Sequence, residues 1–225
     1  MGFDFAHFLE LIPEINTAFF QTLYMISISL VIAVVVGLPT GILLYVTDGG
    51  LFLENRILRN CVGFVVNMIR SVPFIILLVA LMPFTNFITG TTIGPSAASV
   101  SLSVAAIPFF ARIVESSLRD VDAGVIEASV ALGATPFMII KDVLLVEARS
   151  GIISGITLTF ISLIGFSAMA GTVGGGGIGD LAIRYGYYRY DNTIMIVTVL
   201  ILIIMVQFIQ LAGDCIAGLV DKKNK

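Results

Sequence analysis

Histidine and cysteine are nearly missing from this sequence: one histidine, His7, and two cysteines, Cys61 and Cys215, stand among 225 residues. No CxxC pair occurs, so structural zinc, histidine-ligated haem and Cys–His nucleophilic pairs have no residues to build on. The two cysteines read as small apolar residues near helix ends. HExxH is absent, and the one histidine sits in the N-terminal tail, which removes metalloprotease and rhomboid-type serine protease chemistry. No GxxxxGK[ST] occurs, so the chain carries no phosphate loop. Charge is scarce as well. Charged residues make up 12%, against about 25% in soluble domains. The net charge of −3 comes with no basic patch to hold nucleic acid. The first seventeen residues show neither a basic n-region nor a small-residue cleavage site. Ala6 stands where a myristoylation pattern needs Ser or Thr.

What fills the chain is apolar. Hydrophobic residues reach 58% and the mean hydropathy is +1.06, a composition that places the chain among polytopic α-helical membrane proteins. Runs of about 20 apolar residues predict five spans at 17–45, 57–84, 97–113, 152–170 and 193–219. The second contains Asn67, Arg70 and Pro73, and its 57–70 portion is equally readable as lying along the membrane interface. Residues 1–16 read as a short amphipathic helix at the outer surface. Nine of the twelve basic residues (Arg56, Arg59, Arg112, Arg119, Lys141, Arg149, Lys222, Lys223, Lys225) fall on one side of this topology. The positive-inside rule puts that side in the cytoplasm, with the N-terminus outside and the 220–225 basic tail inside. No internal repeat is visible, and an odd number of spans argues against two inverted halves. The expected fold is all-α: a single membrane domain over 17–219 with about five transmembrane helices and a cytoplasmic helix-turn-helix.

That helix-turn-helix is the polar island 120–147. Asp122 is placed to cap a helix over 123–132, Gly133 to end it in the left-handed conformation, Thr135 to cap the next, and Pro136 to open it. On spacing alone this is a well-formed amphipathic loop. Other features have two readings each. Gly174-Gly175-Gly176-Gly177-Ile178-Gly179 satisfies GxGxxG, but membrane spans flank it where a dinucleotide site needs a strand and a helix; it reads as a compact outer turn. The fourth span is rich in Gly, Ser and Thr, including Ser162 and Ser167, which suits close helix packing or a polar pathway. Asn67 and Arg70 share a helix face, as a pathway group or as an arginine reaching the interface. The outer aromatic segment with Tyr187, Tyr188, Arg189 and Tyr190 is a candidate docking surface. An ion-gradient-driven transporter or channel would show carboxylates deep in its spans, and the centres of spans one, three, four and five have none.

The stretch Glu127-Ala128-Ser129, three residues, Gly133, nine residues, Val143-Leu144-Leu145-Val146 resembles the EAA signature of ATP-binding-cassette importer permeases. Ser129 replaces an alanine and Val146 a proline, so the fourth span starts without the family's rigid corner. Segments 70–85, 111–136, 155–191 and 207–214 resemble, in order, the methionine-importer permeases of bacteria, which have the type I importer fold. The resemblance implies a permease subunit of an amino-acid importer in the bacterial inner membrane. Its partners would be a second copy of itself, two cytoplasmic ATPases and an extracytoplasmic methionine-binding protein, within a lipid bilayer. It implies no cofactor in this chain, since the partner ATPase would hold ATP and Mg. By the same resemblance Glu127, Ala128, Ser129, Gly133, Ala134 and Pro136 contact the ATPase. Asn67, Arg70, Ser162, Ser167 and Met169 become pathway or gate candidates, and Tyr187, Tyr188, Arg189 and Tyr190 the receptor surface.

Overall fold

A computed structural model describes residues 5–220 in backbone and residues 8–220 in side chain; the His7 side chain and the basic tail beyond Val220 lie outside these bounds. Every regular element among the described residues is helical. Four helices are long and apolar enough to cross a membrane, and a bent pair brings the number to five. They are α1 (Phe5–Val46), α5 (Pro95–Arg119), α9 (Arg149–Gly171), α11 (Asn192–Val220) and the pair α2 (Arg56–Ser71) with α3 (Phe74–Ala80). Met82–Thr89 forms α4, ended by Gly90 at φ +73.

The centre of the protein is α5, whose Leu102, Phe110, Val114 and Leu118 are fully buried. Its main neighbour is α1, and two glycines explain how close they come. A Cβ on Gly37 would sit 2.9 Å from the Ile107 carbonyl oxygen, and one on Gly41 would sit 2.5 Å from that of Ala111. Gly37-Leu-Pro-Thr-Gly41 is therefore a GxxxG contact: one helical face without side chains, against which a second backbone lies. The same device joins α9 to α5 and to α11. A Cβ on Gly155 would meet Ile113 Cγ2 at 2.5 Å, and one on Gly213 of α11 would meet Thr157 Oγ1 at 2.1 Å.

Two expectations change. Residues 5–16 do not form a separate surface helix; they continue into α1 without a break, despite Pro13. At about 1.5 Å per residue the 42 residues of α1 reach roughly 63 Å, about twice a ~30 Å hydrocarbon layer, so α1 must project from the membrane. The second apolar run is not one continuous helix either. Pro73 lacks the N–H a helix needs, and Val72 before it is extended at φ −88, ψ 127. There the chain turns by 104°. On one side of α2 the apolar Ile57, Phe64 and Met68 are exposed; on the other Gly63 and Val66 are buried, as in a helix with one wet and one apolar face.

Candidate functional site

The 120–147 island folds as its caps dictate. Asp122 accepts a hydrogen bond from the Gly124 amide at 2.7 Å and starts α6 (Ala123–Ala131). Gly133, at φ +79, ends that helix, and its N–H donates to the Val130 carbonyl at 2.9 Å. Thr135 Oγ1 accepts from the Met138 amide at 3.4 Å, and Pro136 opens α7 (Pro136–Met138). The chain then takes one π-helical turn, Ile139–Leu144, before α8 (Leu145–Glu147). A π turn brings residues five apart onto one face. Ile139 and Leu144 are five apart and both fully buried; with buried Ile126 they anchor the hairpin to the ends of the spans. The missing proline at Val146 leaves no corner: α8 passes into α9 through Ala148 alone, at φ −80, ψ −1.

What the hairpin presents outward is apolar and small. Leu132 is 88% exposed and Phe137 69%, with Val125, Val130 and Met138 beside them. Glu127, Ala128 and Gly133 are exposed in the same element, and Glu127 makes no ion pair among the described residues. A cluster of exposed large apolar groups on a polar segment has the character of a contact surface, for protein or for membrane. Ser129 faces its own helix, its hydroxyl donating to the Val125 carbonyl at 2.7 Å.

Just above this hairpin lies a charged network that the sequence analysis did not single out. Glu115, with only 6% of its side chain exposed, accepts from Arg112 at 2.5 Å and from Arg119 at 2.9 Å, both on its own helix α5. Arg119 also reaches Asp48 at 2.6 Å, and Asp48 holds Arg59 of α2 at 2.6 Å. Arg112 donates to Asn67 Oδ1 of α2 at 2.8 Å. Asp48 lies in the loop between α1 and α2. Burial works against its charge, but the hydrogen bonds from Arg119 and the Gly49 amide, with the charges of Arg119 and Arg59, outweigh burial and lower its pKa. The spacing of Arg112, Glu115 and Arg119 at i, i+3 and i+7 is visible in the sequence; the partners Asp48 and Asn67 are not.

The remaining candidates are scattered. Asn67 is engaged with Arg112, whereas Arg70, three residues on, is exposed and makes no ion pair among the described residues. Ser167 is buried, its hydroxyl donating to the Ile164 carbonyl at 2.8 Å. Ser162 is half-buried and Met169 exposed. Gly151 and Gly155 face α5, so close packing accounts for them. Tyr187, Tyr188 and Tyr190 are exposed, and Arg189 stacks over the Tyr185 ring with 4.4 Å to its centroid. Tyr190, at φ 55, holds a left-handed backbone rare for an aromatic residue.

The glycine stretch is a compact turn that opens α10 (Gly177–Leu181), with Gly174, Gly176 and Gly177 all at positive φ. Its amides are already used: Gly177 N–H donates to Gln21 Oε1 and Ile178 N–H to Thr22 Oγ1, each at 2.9 Å. A Cβ on Gly171 would lie 2.2 Å from the Asp180 nitrogen, so the turn folds directly back on α9. With the Gly174 and Gly175 amides bonded to the Gly171 and Ala170 carbonyls as well, the turn is tied into the fold and is not an open cradle for a dinucleotide.

Residues 33–225 match the family described as binding-protein-dependent transport system inner membrane component. A Vibrio cholerae protein named probable D-methionine transport system permease protein MetI is 51% identical over 207 residues, covering 92% of each chain. The methionine import system permease protein MetP of Bacillus subtilis is 43% identical, with 94% of this chain and 96% of the relative aligned. Among solved structures, an inward-facing form of the MetNI methionine ABC transporter superposes with a TM-score of 0.93 at 46% identity, covering 95% of this chain and 99% of that one.

Proposed function

The chain belongs to the family of binding-protein-dependent transport system inner membrane components, and from that premise we propose that it is the methionine-conducting permease of an ATP-binding-cassette importer. Such a permease performs no covalent chemistry; ATP hydrolysis belongs to the partner ATPase. The relatives are ABC permeases, so the ion-gradient alternative gives way. The observation that carries the coupling role is the α6–α7 hairpin: an exposed face of small and apolar residues, rigidly capped at both ends, on the EAA spacing. Two copies of the chain enclose the pathway, and each hairpin sits in a groove of one of two ATPases that hold ATP and Mg. Closure of the ATPases pushes on Glu127–Gly133 and shifts the population between outward- and inward-open states. Small residues at Ala128, Ser129 and Ala134 let the two backbones approach, and Glu127 is free to meet a basic partner.

In this reading the N-terminus is outside and the C-terminus inside the bacterial inner membrane. Tyr187, Tyr188, Arg189 and Tyr190 meet the methionine-binding protein. Ser162 and Met169, being accessible on α9, suit the pathway; both serine hydroxyls donate to their own helix, but Ser167 is also buried, and Asn67 and Arg70 lie toward the cytoplasmic side. Assembly is the test. Purified from membranes containing its partner ATPase, the chain is expected to bring that ATPase down at one ATPase per permease. Glu127→Arg, which places a cation where a cation should pair, is expected to weaken the association about tenfold. Equal recovery of ATPase with Glu127→Arg would count against this docking.

A further inference from the structure

We infer that Glu115 is a positioning residue for transport: it holds α5 and the α1–α2 corner as one body, so that displacement of the coupling hairpin reaches the membrane interior. The inference rests on the permease reading above and concerns how the push is passed on.

The coupling hairpin has two attachments to the spans. One is α8 leading into α9. The other is α5, whose last residue, Arg119, is separated from the cap of α6, Asp122, by two residues. A push on α6 is therefore felt in the last turn of α5. There Glu115 fixes two arginines, each with a second partner on a different element. Arg119 bridges Glu115 to Asp48, which in turn holds Arg59, while Arg112 bridges Glu115 to Asn67. Both routes end on α2, and α2 leads through the 104° bend into α3, which packs on α5 and α9.

Three observations favour a positioning role over a surface ion pair. The hub carboxylate is buried, so its pairs are little screened by solvent. The bridged residues lie 45 and 71 positions apart in sequence, so the network joins separate elements and not turns of one helix. Finally, Arg112 Nε is buried with no hydrogen-bond partner. The guanidinium forgoes one bond to keep the other two, which fits a group placed for its geometry.

Glu115→Gln keeps shape and removes the charge that gathers the arginines. Arg119→Lys keeps the charge but ends one bond short of Nη2, the single nitrogen that reaches both Asp48 and Glu115, so it cannot hold both carboxylates at once. Both are to be assembled with the partner ATPase and the methionine-binding protein in proteoliposomes, and methionine uptake and ATP hydrolysis measured together. The expected result is a fall of about tenfold in methionine moved per ATP for Glu115→Gln and a smaller fall for Arg119→Lys, with hydrolysis retained. An unchanged ratio, including a parallel fall in uptake and hydrolysis, overturns the inference while leaving the permease reading intact. Where Glu115→Gln does not assemble, Arg119→Lys decides alone by the same ratio. Lack of ATP-dependent uptake by the wild type takes both down.

Discussion

Replacing Gly133 with valine is expected to lower ATP-driven uptake by tenfold or more while leaving the permease folded. Gly133 sits at φ +79 with nothing in its own chain within 4 Å of an added Cβ. The cost inside the permease is therefore backbone strain alone, about 1–3 kcal/mol for a non-glycine residue held there, and more for a β-branched one. An exposed turn escapes that strain by opening, which re-aims α7 relative to α6. Charged against the docked geometry, such an energy corresponds to roughly a five- to hundredfold loss of the competent population. Gly133→Asn separates the two causes of failure, because asparagine adopts the left-handed conformation readily. If the turn matters, Asn retains much of the uptake; if contact with the ATPase demands a bare backbone, Asn fails as valine does. Normal uptake by Gly133→Val would remove the turn from the coupling mechanism.

Gly41→Leu is expected to act on the fold itself. A Cβ at this position would lie 2.5 Å from the Ala111 carbonyl oxygen and 2.7 Å from Val114 Cβ. Neither atom is the end of a flexible side chain, so α1 and α5 must separate. Overpacking of a close-packed interior costs about 1–3 kcal/mol or more, and here it opens the main contact of the central helix. The melting temperature of the solubilised protein should drop by about 5 °C or more at this chain length, with lower folded yield. Gly218→Leu is the control, since nothing lies within 4 Å of a Cβ there; its melting temperature should stay within about 2 °C of wild type, a shift below 1 kcal/mol. Equal stability of Gly41→Leu and wild type would show that the α1–α5 crossing tolerates separation.

How far the sequence could be read follows from the range of each interaction. Asp122, Gly133, Thr135 and Pro136 act within three residues of themselves, so the turn of the α6–α7 hairpin is written in the local sequence. The apolar runs for α1, α5, α9 and α11 were equally legible, because lipid demands them. Pro73 announced a break in the second run, but not a turn of 104°, which depends on what α2 and α3 pack against. The amphipathic pattern of residues 1–16 suggested a surface helix; from Phe5 onward it continues instead as the projecting end of α1, which Pro13 does not interrupt. The GxxxG spacing of Gly37 and Gly41 stands in the sequence, but the sequence analysis did not single it out, and the helix that approaches it was hidden. The network around Glu115 shows the limit most clearly. Arg112 and Arg119 drew notice as charges that orient the topology, while their partners Asp48 and Asn67 come from distant segments and become neighbours only once α2 folds against α5.

As a permease of this family, the chain is expected to conduct methionine inward at the expense of ATP. The most direct measurement is uptake of labelled methionine into proteoliposomes holding the permease, its partner ATPase and the methionine-binding protein, with ATP supplied on the ATPase side. Uptake that requires ATP and persists when proton and sodium gradients are collapsed is the predicted result. Uptake driven by an ion gradient without ATP, or ATP hydrolysis that moves no methionine, would contradict it.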